Sequence, residues 1–463
     1  MEVEAQTVSA ARPAVVEVAP ENRAEFVKAI WSLAWPVILT MSLESVVGLL
    51  DMLMLGRLGA QAIAAVGIAT QIVFAVNTVM IAVATGTLAI VARHVGAREI
   101  RRAEEVALQS VLAAFVLAAA IATPVAIWAP NVIRGFGVEE TVVEIGSQYL
   151  RIVLIGAPLD AIFAIIAFAL RGAGDTRTPL WVGALVGTIK LVLSYVMIFG
   201  VGGLPALGVV GAACGTVAAF GTGALTMTVL SMGGRLVVRF HAADLGVRPA
   251  VLRRLFAISY PAAIETGLMQ FGFFIYYYFA AKYSTAAVAA YVIGVRILGL
   301  SFLPGFGFAA AASTVVGQNL GAKQPDRATN GGWEATKLAL YLMTVAGLVI
   351  FAAARPIARL FVDDPDVVDK AVTFIQVLAA AQPLMAIDFT LGGALRGAGD
   401  TRFPLFAVLI GFYFCRLGSA YAVTFLLRMP LVWLWLALLP DYVARCVLKA
   451  MRFRSGRWKT IKV

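Results

Sequence analysis

Leu170–Leu180 reads LRGAGDTRTPL, and Leu395–Leu405 reads LRGAGDTRFPL. The two stretches differ only at Thr178 against Phe403 and lie in opposite halves of the chain. The offset that carries Leu170 onto Leu395 also carries Pro36 onto Pro261, Pro158 onto Pro383, and Gly96-Ala97-Arg98 onto Gly321-Ala322-Lys323. It carries Arg102 onto Arg327 and Phe136 onto Phe361 as well, with no gap from Pro36 to Leu180. A period close to half the chain marks a duplicated domain rather than a solenoid.

Hydrophobic residues make up 61% of the chain and charged residues 14%. A soluble domain has about 45–50% and about 25%. The apolar residues fall in twelve runs: roughly 29–54, 62–92, 106–129, 146–170, 179–200, 207–232, 255–281, 286–316, 334–354, 370–395, 404–427 and 430–450. Each is about long enough to span a bilayer as a helix. A lipid-facing backbone must satisfy its own hydrogen bonds, and the alternating strands of a barrel are absent, so the runs read as helices. The expected fold is an all-α polytopic membrane protein with twelve transmembrane helices. Six spans per copy is an even number. The two six-helix lobes are therefore related by a parallel pseudo-twofold repeat.

The expected boundaries are a polar tail at 1–26, lobes at 27–232 and 255–450, a linker at 233–254, and a basic tail at 451–463. The first tail lacks the basic start and short apolar core of a cleavable signal. Basic residues concentrate in alternate loops: Arg93, Arg98, Arg101 and Arg102, then Arg171 and Arg177, then Arg235 to Arg254. Lys323, Arg327, Arg396 and Arg402 continue the series, and Arg445, Lys449, Arg452, Arg454, Arg457, Lys459 and Lys462 close it. The intervening loops hold fewer bases and carry Glu139, Glu140, Asp363 and Asp364. The positive-inside rule puts both termini in the cytoplasm of a plasma (inner) membrane protein. The net charge of +11 then belongs to loops against anionic lipid, and no nucleic acid partner is expected. Cys214, Cys415 and Cys446 read as packing residues without a disulfide framework or metal spacing. His241 in the linker reads as solvated. Paired metal ligands, a nucleotide loop and a nucleophile–base set are all missing. Neither an enzyme nor a cofactor is expected.

In the repeated motif, Gly172 and Gly174, like Gly397 and Gly399, permit a tight turn with positive φ. Asp175, Thr176 or Thr178 can cap the next helix, as can Asp400 in the second copy, with Pro179 in its first turn. Arg171 and Arg396 stay on the basic side. The motif reads as a structural hairpin and topology signal, with a cytoplasmic gate hinge as the functional alternative.

Three stretches together carry a family resemblance: Leu50–Gly59 (LDMLMLGRLG), the two LRGAGDTR turns, and Ala287–Gly321 (AVAAYVIGVRILGLSFLPGFGFAAAASTVVGQNLG). The chain resembles the MATE (multidrug and toxic compound extrusion) transporters of the wider multidrug/oligosaccharide-lipid/polysaccharide exporter group. The resemblance covers nearly everything beyond the first tail. It implies secondary active export by alternating access, with an amphipathic organic cation exchanged for protons or sodium. A lipid-linked precursor flippase is the alternative within the group. A non-transporting receptor or scaffold is the alternative from another class. The expected partners are a small cationic drug-like substrate and the bilayer, with the chain a monomer.

Ionisable residues inside spans are costly and mark function by default. Asp51, Glu265 and Asp388 are the expected coupling carboxylates, and Lys190 the expected partner of Asp51. Glu44 lies two turns before Asp51. Arg296 or Arg416 is expected to pair with Asp388. Similar proteins often have an Asn and an Asp four residues apart where this chain has Lys190 and Ser194. A lysine there opposes sodium and points to protons, or to a carboxylate–lysine switch. Asp160 aligns with Met385, where cation-driven relatives often carry an acid. Gln71, Asn77, Met269, Gln270, Tyr277, Phe302, Arg296 and Met385 complete the candidate substrate cavity. There, cation–π contact suits an organic cation.

Overall fold

The computed structural model describes residues 23–203, 205–241 and 244–461. Most of the expected first tail (1–22) and Lys462 lie outside the described residues. Twelve long helices follow in order. The first half holds α1 (Arg23–Gly56), α2 (Ala60–Gly96), α3 (Ile100–Ile127), α4 (Glu140–Ala173), α5 (Arg177–Phe199) and α6 (Val209–Met232). The second holds α7 (Pro249–Ala281), α8 (Thr285–Gly321), α9 (Pro325–Ala352), α10 (Pro365–Gly397), α11 (Arg402–Leu426) and α12 (Leu431–Arg454). The sequence offset carries the first residue of each of four successive helices, α2 to α5, onto the first residue of its counterpart, α8 to α11. It does the same for the short helices Ala129–Arg134 and Ala354–Arg359. Among the described residues there is no β-strand.

Eleven of the twelve are long and apolar enough to cross a membrane. Helix α7 is as long as its neighbours but less apolar, because Glu265, Gln270 and Tyr276–Tyr278 fall within it.

The repeated turn is built the same way twice. Gly174 (φ 96°) and Gly399 (φ 87°) take the left-handed conformation that ends α4 and α10. The amide of Asp175 donates to Leu170 O at 2.8 Å, and that of Asp400 to Leu395 O at 2.8 Å. This is a glycine-terminated helix cap that satisfies carbonyls the helix end leaves free. Asp175 Oδ1 then accepts from the amides of Arg177 and Thr178, at 3.1 and 2.9 Å. The one differing position follows from this chemistry. Thr178 Oγ1 donates to Asp175 Oδ2 at 2.6 Å. Phe403 has no hydroxyl to offer Asp400, and Arg452 Nε donates to Asp400 Oδ2 at 2.7 Å instead. The Arg452 guanidinium also lies over the Phe403 ring, 5.3 Å from its centre.

The other motif glycine serves packing. A Cβ on Gly172 would lie 2.6 Å from Leu88 O, and one on Gly397 2.2 Å from Ser313 O. Leu88 and Ser313 are themselves repeat counterparts, so both copies bring two helix backbones together at one place. Gly397→Ala is expected to cost about 1–3 kcal/mol of stability, as overpacking does. Gly67→Ala, where a Cβ meets open space, is expected to be neutral or slightly stabilising. Thermal unfolding of the two variants in detergent checks this. Equal melting temperatures would show that the close crossing is not what the motif glycine serves.

The described residues form two compact units. One covers Leu39–Ser259; the other runs from Tyr260 onward and takes in the opening of α1 up to Ile38. These boundaries differ from the expected 27–232 and 255–450. Each copy's first helix divides between units close to its proline, Pro36 in α1 and Pro261 in α7. In the second unit, Phe26, Ile30, Leu33 and Ala34 pack into the same core as Phe308, Ala312 and Val315. Arg23 pairs with Glu334 at 3.2 Å.

The linker is also shorter than expected, since α7 begins at Pro249, a residue suited to a first helical turn. It is docked rather than loose. Gln109 Nε2 donates to the carbonyls of Asp244 (3.2 Å) and Gly246 (2.7 Å), and Gln109 Oε1 accepts from the Arg248 amide (3.0 Å). Asp244 pairs with Arg101 at 2.7 Å, and Arg248 with Glu105 at 2.6 Å. His241 is exposed, as expected, but lies 3.8 Å from Glu104 at the edge of this network.

Candidate functional site

Two clusters of ionisable side chains lie within the spanning helices, one in each unit. The first is organised by the contact of α1 with α5. Gly183 and Gly187 let α1 approach: a Cβ at these positions would lie 3.5 Å from Thr40 and 3.0 Å from Val47. Small residues four apart permit such close packing in a membrane. One turn further along the same face, Lys190 Nζ meets Asp51 Oδ2 at 3.2 Å. Asp51 is 9% exposed and Lys190 18%. The other oxygen, Asp51 Oδ1, is buried with no hydrogen-bond partner among the described residues.

Asn77 Nδ2 donates to Asp160 Oδ2 at 3.1 Å beside this pair, and both side chains are half-buried. Glu44 is exposed, and no ion pair or hydrogen bond to its side chain is found among the described residues. Its electrostatic neighbours are Arg171 and Asp160, and Lys190 acts on Asp160 in turn. Among the described residues, three acids (Glu44, Asp51, Asp160) stand against two bases (Arg171, Lys190), a formal excess of one negative charge when all are ionised.

The second cluster is closed. Asp388 accepts from Arg445 Nη1 at 2.9 Å and from Lys449 Nζ at 2.5 Å. Asp441 accepts from Arg445 Nε and Nη2, at 2.7 and 3.1 Å. Arg416 Nη1 lies 3.8 Å from Asp441 Oδ2. Its guanidinium sits over the rings of Phe273, Tyr276 and Phe412, 4.5 to 5.5 Å from their centres. Arg416 is carried on a π-helical stretch, Leu409–Leu417. Asp388, Asp441, Arg416, Arg445 and Lys449 are all buried. Glu265 Oε1 accepts from Arg396 Nη2 at 2.6 Å, so the motif arginine of the second copy reaches an acid on α7. Four acids (Glu265, Asp388, Asp400, Asp441) face five bases (Arg396, Arg416, Arg445, Lys449, Arg452), an excess of one positive charge.

Two expectations change here. The partners of Asp388 are Arg445 and Lys449, not Arg296 or Arg416. Arg296 is exposed. Arg445 and Lys449, expected with the basic tail, are buried in α12. Asp441, Arg445 and Lys449 recur at every fourth position, one face of a helix, and that spacing was the available signal. Of the candidate cavity residues, Met385 is fully buried in the core of the second unit. Phe302 packs edge-on against Phe306 and Phe389. Tyr277 is exposed and touches the Tyr291 ring, Met269 and Gln270 are half-buried, and Gln71 is exposed. Among the described residues, no group of three or more His, Cys, Asp or Glu side chains is placed to hold a metal.

The repeat turns the two clusters into a comparison. At the offset of the repeated motif, Glu44, Asp51, Asn77, Asp160 and Lys190 become Met269, Tyr276, Phe302, Met385 and Cys415. Conversely, Asp388 and Arg416 become Phe163 and Leu191. A longer α5–α6 connection shifts the last helix: α6 ends at Met232 and α12 at Arg454, whereas the motif's offset would carry Met232 to Arg457. Contacts confirm that register: a Cβ on Gly223 would lie 3.2 Å from Phe163, where the second half has Arg445 on Asp388. Asp441, Arg445 and Lys449 then match Ala219, Gly223 and Met227. Apart from the motif charges, Arg171 with Arg396 and Asp175 with Asp400, each half is charged where the other is uncharged.

The MatE family profile matches residues 36–196 and again residues 261–422, two copies that begin at the matched prolines Pro36 and Pro261. A probable multidrug resistance protein NorM of Thermotoga maritima is 29% identical over 446 residues, 96% of this chain and 94% of that protein. An uncharacterized transporter, YisQ, of Bacillus subtilis is 26% identical over 93% of this chain and 94% of its own length. Among solved structures, a MOP superfamily transporter from Pyrococcus furiosus superposes with a TM-score of 0.88 at 22% identity, covering 96% of this chain and 98% of its own.

Proposed function

This chain belongs to the MATE family of multi-pass membrane transporters, and from that premise we propose that it exports monovalent amphipathic organic cations in exchange for protons, with the coupling site in its first half. The observation that carries the reading is the contrast between the two clusters. Every acid of the second cluster has a guanidinium or ammonium within hydrogen-bond distance. Glu265 Oε2, like Asp51 Oδ1, is buried without a hydrogen-bond partner among the described residues, but the formal positive excess of this cluster opposes uptake of a cation. In the first cluster, one oxygen of Asp51 is unpartnered and Glu44 is exposed, and one negative charge is in excess.

The excess charge supplies a mechanism. With all three acids ionised, the cluster attracts one monovalent cation. A proton arriving on Asp51 cancels the excess, frees Lys190, and leaves an ammonium facing the substrate site. The cation is then expelled. Loss of the proton on the other side restores the pair and the attraction. Lys190 beside Asp51 also disfavours sodium, because a bound metal ion would sit against a fixed positive charge.

This assignment departs from a coupling role for Glu265 and Asp388. In proteoliposomes carrying a fluorescent organic cation, Glu265→Gln is expected to keep proton-driven export, since Arg396 is 22% exposed and can reach water. A sodium gradient alone is expected to drive nothing. Loss of driven flux in Glu265→Gln, or sodium-driven flux in the wild type, would move coupling to the second half. No driven flux of any organic cation would turn the reading to lipid translocation.

A further inference from the structure

The contact of α1 with α5 opens beyond the Asp51–Lys190 pair. A groove of about 490 Å³ runs along the helices, lined by Leu50, Leu53, Met54, Leu191, Val192 and Val196, with Arg57 and Tyr195 as its polar members. That volume lies within the roughly 300–1,000 Å³ of sites that hold small molecules. Its lining is aliphatic, and Leu53 and Val192 are strongly exposed. Arg57 is at the end of the groove opposite the basic turns of the repeated motif. It is exposed, and no side-chain partner for it is found among the described residues.

The repeat provides an internal control. The corresponding contact, α7 with α11, has the same helices at the same offset. There the protein fills the space with its own rings. Phe279, counterpart of Met54, packs against Tyr421 and Phe425, with ring centres 6.5 and 5.6 Å apart. Tyr421 is the counterpart of Val196. Lys282, counterpart of Arg57, has its ammonium 4.8 Å from the centre of the Tyr278 ring. The fold therefore does not force a groove at this place. One copy closes it and occupies its cation, while the other leaves an aliphatic channel and a free guanidinium.

We propose that the α1–α5 groove is a binding site for an anionic membrane lipid, with an acyl chain along the aliphatic lining and the phosphate on Arg57. The occupant follows from the chemistry of the lining. An aliphatic channel exposed on a membrane helix takes up a chain, and a guanidinium at its mouth selects a phosphate. Tyr195 is of the amphipathic type enriched where the hydrocarbon meets the headgroups. The lipid does for the first half what Phe279 and Tyr421 do for the second. It covers the contact next to Asp51 and Lys190 and keeps water from reaching that pair along the helix seam. The site does not depend on which cation is transported.

The test transplants the second half's residues into the first. Native mass spectrometry of the detergent-purified protein, titrated with phosphatidylglycerol and with phosphatidylcholine, counts bound lipid. Wild type is expected to retain one phosphatidylglycerol in preference to phosphatidylcholine. The double variant Met54→Phe, Val196→Tyr, which fills the groove with side chains the fold already accommodates at the matching place, is expected to lose that lipid. Arg57→Gln is expected to keep a lipid but lose the preference for the anionic one, and Arg57→Lys to restore most of it. Glycerol phosphate without acyl chains is expected not to compete; if it does, the site is a phosphate site and the lipid assignment fails. Unchanged phosphatidylglycerol binding in the groove-filled variant, with its melting temperature kept, would also overturn the proposal.

Discussion

Asp51→Asn is expected to reduce proton-driven export to the level of protein-free liposomes while leaving the protein folded. The side chain keeps its shape and stays beside Lys190, but it can no longer release a proton. Lys190 then loses its ion-pair partner and keeps only the longer-range attraction of Asp160, and its charge stands permanently against the substrate. The cluster loses its excess negative charge in every state, so a cation has nothing to bind to and a proton has nothing to exchange with. Adding Lys190→Met to Asp51→Asn separates the two consequences. The pair is then uncharged, and stability is expected to recover, but coupled export is not. Export recovered in the double variant would mean that Asp51 serves only to neutralise Lys190.

The second large effect is on stability. Arg445 holds two carboxylates of the second cluster, Asp388 and Asp441, and Asp441 has no nearer base than Arg416 at 3.8 Å once it is gone. Breaking a buried pair leaves an uncompensated charge, so Arg445→Met is expected to cost about 3–5 kcal/mol. Asp388 keeps Lys449 and contributes less to the loss. Combining Arg445→Met with Asp441→Asn removes the orphaned charge and is expected to recover much of the stability, a coupling that a double-mutant comparison in detergent measures. A loss from Arg445→Met no larger than that of an exposed substitution would show that the cluster is not held together by these pairs.

Much of this architecture was legible in the sequence because duplication makes one half a control for the other. LRGAGDTR, met at Leu170 and again at Leu395, fixed the offset that relates α2 to α5 to their counterparts, and Gly, Asp and Pro at set places gave the turn its chemistry. Asp51 and Lys190 were legible as isolated charges in apolar runs. The partners in the second half were not. Arg445 and Lys449 come at the end of the last run and resemble the basic tail that follows. Only the altered register of α12, created by an unequal loop, puts Asp441, Arg445 and Lys449 opposite Asp388. The division of α1 at Pro36 was hidden for a different reason. A proline in a long apolar run announces a bend, but which core the residues before it enter depends on Phe26, Ile30 and Leu33 meeting partners as distant in sequence as Phe308 and Val315 on α8.

The central claim is a charge count, one proton for one monovalent cation, and it has a direct test. The steady-state gradient of a monovalent organic cation would be measured in proteoliposomes with an imposed pH difference and the membrane potential set separately by a potassium ionophore. Exchange of equal charges moves no net charge. Each pH unit should therefore support about a tenfold gradient, about 1.4 kcal/mol, with no dependence on potential. A gradient that grows as the potential is made more negative inside or outside, at fixed pH difference, would contradict the account, because more than one charge would then be crossing per cation.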